Sequence, residues 1–218
     1  MKRDQFLGRV TSALRGAALP VVTGPDRAPV ISFPDPVERF VAEATAVDTE
    51  VVRVPDATAA FDAVGAVFET NGVGSYVAWD DLEGVAPGWD EWRARSDYEQ
   101  VDATVGRDSA TRMNDQARMG AVRIGITTAD SGIAATGSLV LCHGPGRPRS
   151  ASLLVQSHIA LLPVSRIVPS LADAMEQAHW DDTSNIAVIT GPSRTGDIES
   201  ILTLGVHGPR HLHIILIG

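Results

Sequence analysis

The side chains best suited to chemistry in this chain sit in short polar turns that follow or interrupt apolar runs. The turn TGPSRTGDIE, residues 190–199, carries Ser193, Arg194 and Thr195. A guanidinium fork, two hydroxyls and free backbone N–H groups at a helix start would hold a carboxylate or phosphate. Asp197 and Glu199 in the same turn could act as a general base or a carboxylate nucleophile, although a first helical turn attracts carboxylates for its dipole alone. His207 stands in a Gly/Pro-constrained turn beside Arg210 and is a candidate proton donor or acceptor. TTADSG, residues 127–132, offers Asp130 and Ser131, which could bind a ligand hydroxyl or simply cap a helix. HGPGRPR, residues 143–149, presents Arg147 and Arg149, able to reach an anion or to remain solvated. In open α/β sheets ligands sit outside the carboxyl ends of strands, so these four turns are expected to converge on one edge and to form a single anion site.

The remaining reactive residue types read as structural. Cys142 ends an apolar strand with no second cysteine near it, which fits a core thiol. HLH at 211–213 puts two histidines on one face of a strand without a further ligand motif, so no metal site is expected. His158, His211 and His213 flank or enter strands. Lys2 is the only lysine, which removes Schiff-base chemistry and the phosphate-binding Walker loop from consideration.

Elements that must position these turns follow from periodicity. Phe6, Leu7, Val10 and Leu14 share a helical face within Asp4–Ala17, and Val37, Phe40, Val41, Ala44 and Val47 form a second stripe after Pro36. Glu50–Val54 and Ser75–Trp79 read as strands around a helix at Asp56–Thr70. Residues 80–110 read as a loop with a partly exposed helix. A helix near Ala110–Met119 leads to a strand at Ala121–Ile126, a short helical turn and a strand at Ser138–Cys142. Gly144–Pro148 is a turn, followed by the apolar run His158–Val164 and a helix at Pro169–Ala178. The last 34 residues read as a βαβ unit: a strand at Asn185–Thr190, a helix with Ile198, Ile201, Leu202 and Leu204 on its buried stripe, a left-handed cap at Gly205, and a strand at His211–Gly218. The run Ile214–Ile217 is too continuously apolar for a half-exposed strand and belongs in the covered middle of a parallel sheet. The alternation predicts an α/β fold.

Composition bounds the function. At 218 residues and 44% hydrophobic, the chain supports one core, expected as a single domain with residues 1–48 as a helical elaboration and 49–218 as the α/β core. No apolar stretch approaches a bilayer span and the start is broken by charges, so a soluble, cytoplasmic protein is expected. A net charge of −9 argues against general nucleic-acid binding. Residues 1–120 hold 12 basic and 20 acidic side chains, whereas 121–218 hold 6 and 7, so the C-terminal half is the better host for an anion. One cysteine cannot ligate an iron–sulfur cluster, and cluster chemistry would need a partner chain.

Taken in order, GITTADSGIAATGSLVL, GPGRPRSASLLVQSHIALLPVSRIVPSL, ITGPSRTGDIE and LGVHGPRHLHIILI resemble the LutC/YkgG family, whose domain is called the LUD domain. The likeness is strong over residues 120–218 and looser before. It implies a three-layer αβα arrangement with a mostly parallel sheet, similar to the NagB, ribose-phosphate isomerase and CoA-transferase group. It also implies a part in lactate utilisation beside two partner proteins, one bearing iron–sulfur clusters, in a system oxidising L-lactate to pyruvate. Thr136 and Gly137 of the TGS turn join the ligand-binding set, while Ala135 stands where the family commonly has an acid. Isomerases of this fold use a lysine near the reaction centre, and this body has none. The expected role is a cluster-free, substrate-handling subunit that binds a small organic anion at the sheet edge. A stand-alone isomerase or transferase using Glu199, Asp197 or His207, and a non-catalytic metabolite sensor or assembly protein, are the alternatives.

Overall fold

In the computed structural model, residues 3–15, 30–103, 108–177, 182–196, 202–205 and 207–218 are described. The chain divides into two compact units, residues 1–30 and 31–218. The first contains α1 (Arg3–Leu14), the expected opening helix.

The second unit begins with α2 (Pro36–Ala46), and its start is chemically explicit. Asp35 accepts hydrogen bonds from the backbone N–H groups of Val37 and Glu38, each at 3.0 Å, while Pro36 supplies a pre-set φ at the first helical position. Phe40 and Ala44 are fully buried in the main core, so α2 packs directly on the α/β body. Strand β1 (Glu50–Val54) leads to α3 (Ala57–Asn71), capped by the Asp56 carboxylate at its start and by left-handed Gly72 at its end.

Then come β2 (Ser75–Ala78), the short helices α4 (Leu82–Val85) and α5 (Trp89–Arg95), the two-residue β3 (Glu99–Gln100), α6 (Ser109–Gly120) and β4 (Ile124–Thr128). Two strands of a second sheet follow, β5 (Ser131–Ile133) and β6 (Ser138–His143), then α7 (Ser150–Leu153) and β7 (Ser157–Pro163). After a single 3-10 turn at Val164–Arg166 come β8 (Ile167–Val168), α8 (Leu171–Gln177), β9 (Asn185–Ile189), β10 (Arg194–Gly196), β11 (Leu202–Leu204) and β12 (His211–Ile217).

The main sheet has the order β1-β12-β7-β4-β2-β3 and is parallel throughout. β12 lies between β1 and β7 with Leu212 to Leu216 buried, as its unbroken apolar run requires. Alternation along each strand separates two cores. Tyr76, Ala78, Ile124, Ile126, Ile159 and Leu161 face α3, α4 and α5. Val77, Trp79, Ala160, Leu162, Ile214 and Leu216 face α2, α7 and β6. One outer layer is therefore helical as expected, but the other is a mixed layer in which the four-stranded sheet β8-β5-β6-β9 takes the place of helices.

Glycine is required where this mixed layer meets the sheet. A Cβ at Gly125 of β4 would lie 1.8 Å from the Ala151 carbonyl oxygen, so α7 rests backbone to backbone on the strand. Gly137, at φ 63°, approaches Ala44 of α2 in the same way, with its would-be Cβ 2.1 Å from the Ala44 nitrogen. The turn before it is tied down by hydroxyls, with Thr136 Oγ1 and Ser138 Oγ 2.7 Å apart and Ser138 Oγ and Thr190 Oγ1 2.7 Å apart.

Two expectations fail at the C-terminal end. Asn185–Ile189 is not in the parallel sheet; it pairs antiparallel with β6, Val188 opposite Val140. The described ends of the predicted helix are strands as well: β10 and β11 form an antiparallel pair, Arg194 opposite Leu204 and Gly196 opposite Leu202. Threonine suits such a pairing better than a helix, and a short apolar run satisfies either period. Gly205 is left-handed at φ 75°, as expected, but it follows a strand. Ile198 and Ile201 lie outside the described residues.

Between the sheet and the mixed layer His158 is completely buried, its Nε2 2.8 Å from Thr127 Oγ1 and its Nδ1 without a partner among the described residues. Burial, together with the nearby His143 and His213, pulls its pKa from 6.5 down to about 3. The folded chain thus keeps the ring neutral while the unfolded chain takes up a proton below pH 6.5, so this share of stability is whole above pH 6.5 and drains away as the pH falls toward 3. Urea unfolding across that window should show a pH slope for His158→Gln that is shallower than the parent's by up to one proton, about 1.4 kcal/mol per pH unit. Equal slopes would contradict the buried neutral imidazole.

Candidate functional site

The carboxyl ends of β2, β4 and β7 gather the densest set of polar side chains. Asp81 follows β2, Thr128 ends β4 with Asp130 two residues on, and Arg166 closes the turn after β7. Between β2 and β4 the sheet order reverses direction. The chain leaves β2 for the outer strand β3, whereas it leaves β4 for β7 on the other side. Such a switch point opens a crevice between adjacent strands, where ligands of parallel α/β sheets bind. Here Thr128 Oγ1 donates to Asp81 Oδ2 across that junction at 3.0 Å.

Arg147 reaches into the same place from the turn after β6. Its guanidinium donates to Asp130 Oδ1 at 2.8 Å, to Asp81 Oδ2 and to the Cys142 carbonyl at 3.3 Å. It also lies over the Trp79 ring, 5.1 Å from the centroid. Burial would lower the Arg147 pKa, but the bond to Asp130 and the charges of Asp130 and Asp81 outweigh it and raise the value. Asp130 in turn accepts from the Cys142 backbone N–H at 2.7 Å, which fastens β6 to the end of β4. The 143–149 turn is held further by Asp80 N–H to the Gly146 carbonyl at 3.0 Å and by Trp79 Nε1–H to the Pro148 carbonyl at 3.1 Å. Burial, then the neighbouring Asp130, pushes the Cys142 thiol up, consistent with an unreactive core thiol.

Beside this clamp is a hollow of about 340 Å³, lined by Asp130, Ser131, Cys142, Arg147, Arg166 and Gln177 among others. Arg166 donates to the Ala129 carbonyl at 2.8 Å. Among the described residues it makes no ion pair, so it is the cation in this wall whose charge no carboxylate offsets. A second hollow of about 470 Å³ on the other side of the turn is lined by Asp80, Gln100, Asp102, Gly144, Gly146 and Ser150 among others. Its acidic lining suits a cation or a hydroxyl-rich ligand better than an anion.

The expected convergence of four turns does not occur. Asp130, Ser131 and Arg147 meet at the carboxyl edge, but Ser193, Arg194, His207 and Arg210 lie at the amino edge, next to the starts of β1 and β12. The separation is a strand's length, roughly 15–20 Å at about 3.3 Å per residue. There Ser193 N–H bonds the Pro209 carbonyl at 2.9 Å, and Arg194 pairs with Asp48 and donates to the Val47 carbonyl at 2.9 Å. Arg194 is thus engaged by a surface carboxylate. Thr195 is on β10, not at a helix start. Thr136 and Gly137 are occupied in packing the second sheet on α2, and His207 is exposed. Asp197 and Glu199 lie outside the described residues. Among the described residues, no three His, Cys, Asp or Glu side chains are grouped to hold a metal ion, and no helix is long and apolar enough to cross a membrane.

Residue-level reasoning missed Asp81, Thr128 and Arg166. The signal was available, since Thr128 ends β4 and Asp81 and Arg166 each stand three residues beyond an apolar strand, close to the placing that singled out Asp130.

Comparison with known proteins fits this architecture. The sequence matches the LUD domain over residues 37–217. It is 38% identical over 149 residues to lactate utilization protein C of Macrococcus caseolyticus, covering 66% of this chain and 61% of that one. To lactate utilization protein C of a Geobacillus species it is 35% identical over 164 residues, covering 69% and 65%. The chain therefore spans less than two thirds of the length of these curated relatives. The structure resembles a crystal structure of a DUF162 family protein from Deinococcus radiodurans, with a TM-score of 0.58 and 19% identity, over 87% of this chain and 100% of that one. At that identity the likeness is one of fold.

Arg147 holds two carboxylates that would otherwise repel each other in a partly buried place, its own side chain being 26% exposed. Replacing it with alanine should cost about 2 kcal/mol in urea unfolding, less than for a fully buried pair because water reaches the site. Adding Asp81→Asn in that background should restore about half, since the like charge is then gone. A double variant no more stable than Arg147→Ala would show that the clamp does not work by charge neutralisation.

Proposed function

The chain belongs to the LUD domain family, and on that premise we propose that it serves lactate utilisation as a substrate-handling subunit, binding a small organic anion in the hollow beside Asp130 and Arg166. The relatives above are lactate utilization proteins C, and we carry that role to this chain. One observation supports the placement more than any other. Arg147 is consumed by Asp81 and Asp130, while Arg166 borders the same hollow without a carboxylate partner among the described residues.

Arg166 would take the ligand carboxylate, and its remaining N–H groups offer the fork that a planar carboxylate matches. The Ser131 hydroxyl lines the same space and can bond a 2-hydroxyl or 2-keto oxygen. Oxidation of lactate also needs an electron acceptor, and the reading assigns that to an iron–sulfur partner protein. This chain's own contribution is to select and orient the anion. The kinship with NagB, ribose-phosphate isomerase and CoA-transferase folds implied by the motifs is part of this proposal and is supported by the parallel sheet alone. Catalysis by the isolated chain through Asp197, Glu199 or His207 is less well supported. His207 is a strand's length from this hollow, and no described carboxylate at the site is free of the clamp.

Titration calorimetry with L-lactate and pyruvate tests the site. Arg166→Ala should weaken binding at least about tenfold, a loss of about 1.4 kcal/mol, with Arg166→Lys intermediate because the fork is lost and the charge kept. Reconstitution with candidate iron–sulfur partners should give lactate-dependent electron transfer that falls when this chain is omitted. Electron transfer unchanged by omission, or lactate affinity indifferent to Arg166→Ala, would overturn the assignment.

A further inference from the structure

The amino edge of the main sheet, which the proposed function does not use, carries two adjoining hollows of opposite character. The outer one, about 640 Å³, is bordered by Arg123, His207 and Arg210. Arg123 directly precedes β4 and Arg210 directly precedes β12, so parallel strands β4, β7 and β12 set these cations along one rim. Among the described residues, neither arginine forms an ion pair, in a chain whose net charge is −9. Two unpaired guanidiniums around one hollow, in a protein rich in carboxylates that could have neutralised them, favour an incoming anion.

The inner hollow, about 160 Å³, shares His207, Gly208 and Leu153 with the outer one. Its remaining wall is largely apolar, with Val188, Ile189, Pro192 and Leu212. Ser152, Ser193 and His158 also border it, the Ser152 hydroxyl already bonding the Arg149 carbonyl at 3.3 Å. His158 is fully buried, and among the described residues its Nδ1 has no hydrogen-bond partner. An unsatisfied buried nitrogen beside the chamber is costly unless something bonds to it.

We infer that the amino edge is a second ligand site, distinct from the hollow at Arg166, and that it takes an organic anion bearing a short apolar chain with a carbonyl or hydroxyl on it. The anionic head meets Arg123 and Arg210 in the outer hollow. The chain occupies the inner one, where apolar contact with Val188 and Leu212 gains from burial and the chain's oxygen meets Ser193 and His158. Neither hollow alone accounts for both observations. The cations select charge, and the small chamber selects chain length.

The test uses the full chain with 5-oxohexanoate as probe and acetate as its headgroup control. Calorimetry should show 5-oxohexanoate binding at least about tenfold more tightly than acetate, and Arg210→Ala should remove at least about tenfold of that affinity. Ser193→Phe, which places a ring in the chamber from a partly exposed position, should abolish the preference for the longer anion. The His158 ring resonances report occupancy independently and should shift with 5-oxohexanoate but not with acetate. Should Ser193→Phe fail to fold, the Arg210→Ala and resonance measurements still decide. Equal affinity for the two anions, binding indifferent to Arg210→Ala, or unmoved His158 resonances would each overturn the inference. Arg166→Ala should leave 5-oxohexanoate binding intact, which separates this site from the one proposed for lactate.

Discussion

The Arg147 guanidinium, held between Asp81 and Asp130, is the interaction on which the carboxyl edge depends. Asp81 leaves β2, Asp130 leaves β4, and Arg147 belongs to the turn after β6, so one side chain ties together three segments distant in sequence. It draws the second sheet over the switch point and, through the Cys142 carbonyl and Asp130's bond to the Cys142 N–H, fixes where β6 begins its turn. The clamp is only partly buried, so it owes its value to several bonds made at once and to the Trp79 ring beneath it. Its charge is spent inside the fold. What remains for a ligand is Arg166, which is why an anion site at this edge is assigned to a residue with no glycine-rich motif around it.

Most of the architecture was legible because its signals are local. Asp35 before Pro36 and Asp56 before Ala57 announce helices by the hydrogen bonds their carboxylates must make. The run Ile214–Ile217 announces a covered parallel strand because neither of its faces could bear water. The pairing of β10 with β11 was not legible, since four apolar positions fit a helical stripe and a strand pairing almost equally, and only the partner strand decides. The second sheet was hidden for the same reason. β5 has three residues and β8 has two, too short to show a period, and each exists through its neighbour, β5 against β6 and β8 against β5.

The site was less legible than the fold. Polar turns could be found along the chain, but which end of a parallel strand a turn occupies depends on whether it precedes or follows that strand. TTADSG and HGPGRPR follow strands or lead from them to the carboxyl edge, whereas HGPR comes before β12 and is carried to the amino edge. Reading direction separates HGPR from those two turns, but TGPSRTGDIE also follows a strand and reaches the amino edge because β9 runs antiparallel to β6. The family match and the parallel sheet then agree on a LUD domain body, while the charges at its two edges differ: a clamped, nearly neutral crevice at one and unpaired arginines at the other.

The contact between Gly125 and the Ala151 carbonyl has a mechanical side. With no room for a methyl group between them, α7 cannot slide along β4 without backbone collision, so helix and strand translate as one piece. The loop that carries Arg147 is anchored to α7 at its far end. Any widening of the Arg166 hollow therefore has to come from its opposite wall, where α8 supplies Ala174 and Gln177, and a ligand too large for the resting shape would be accommodated by that helix alone.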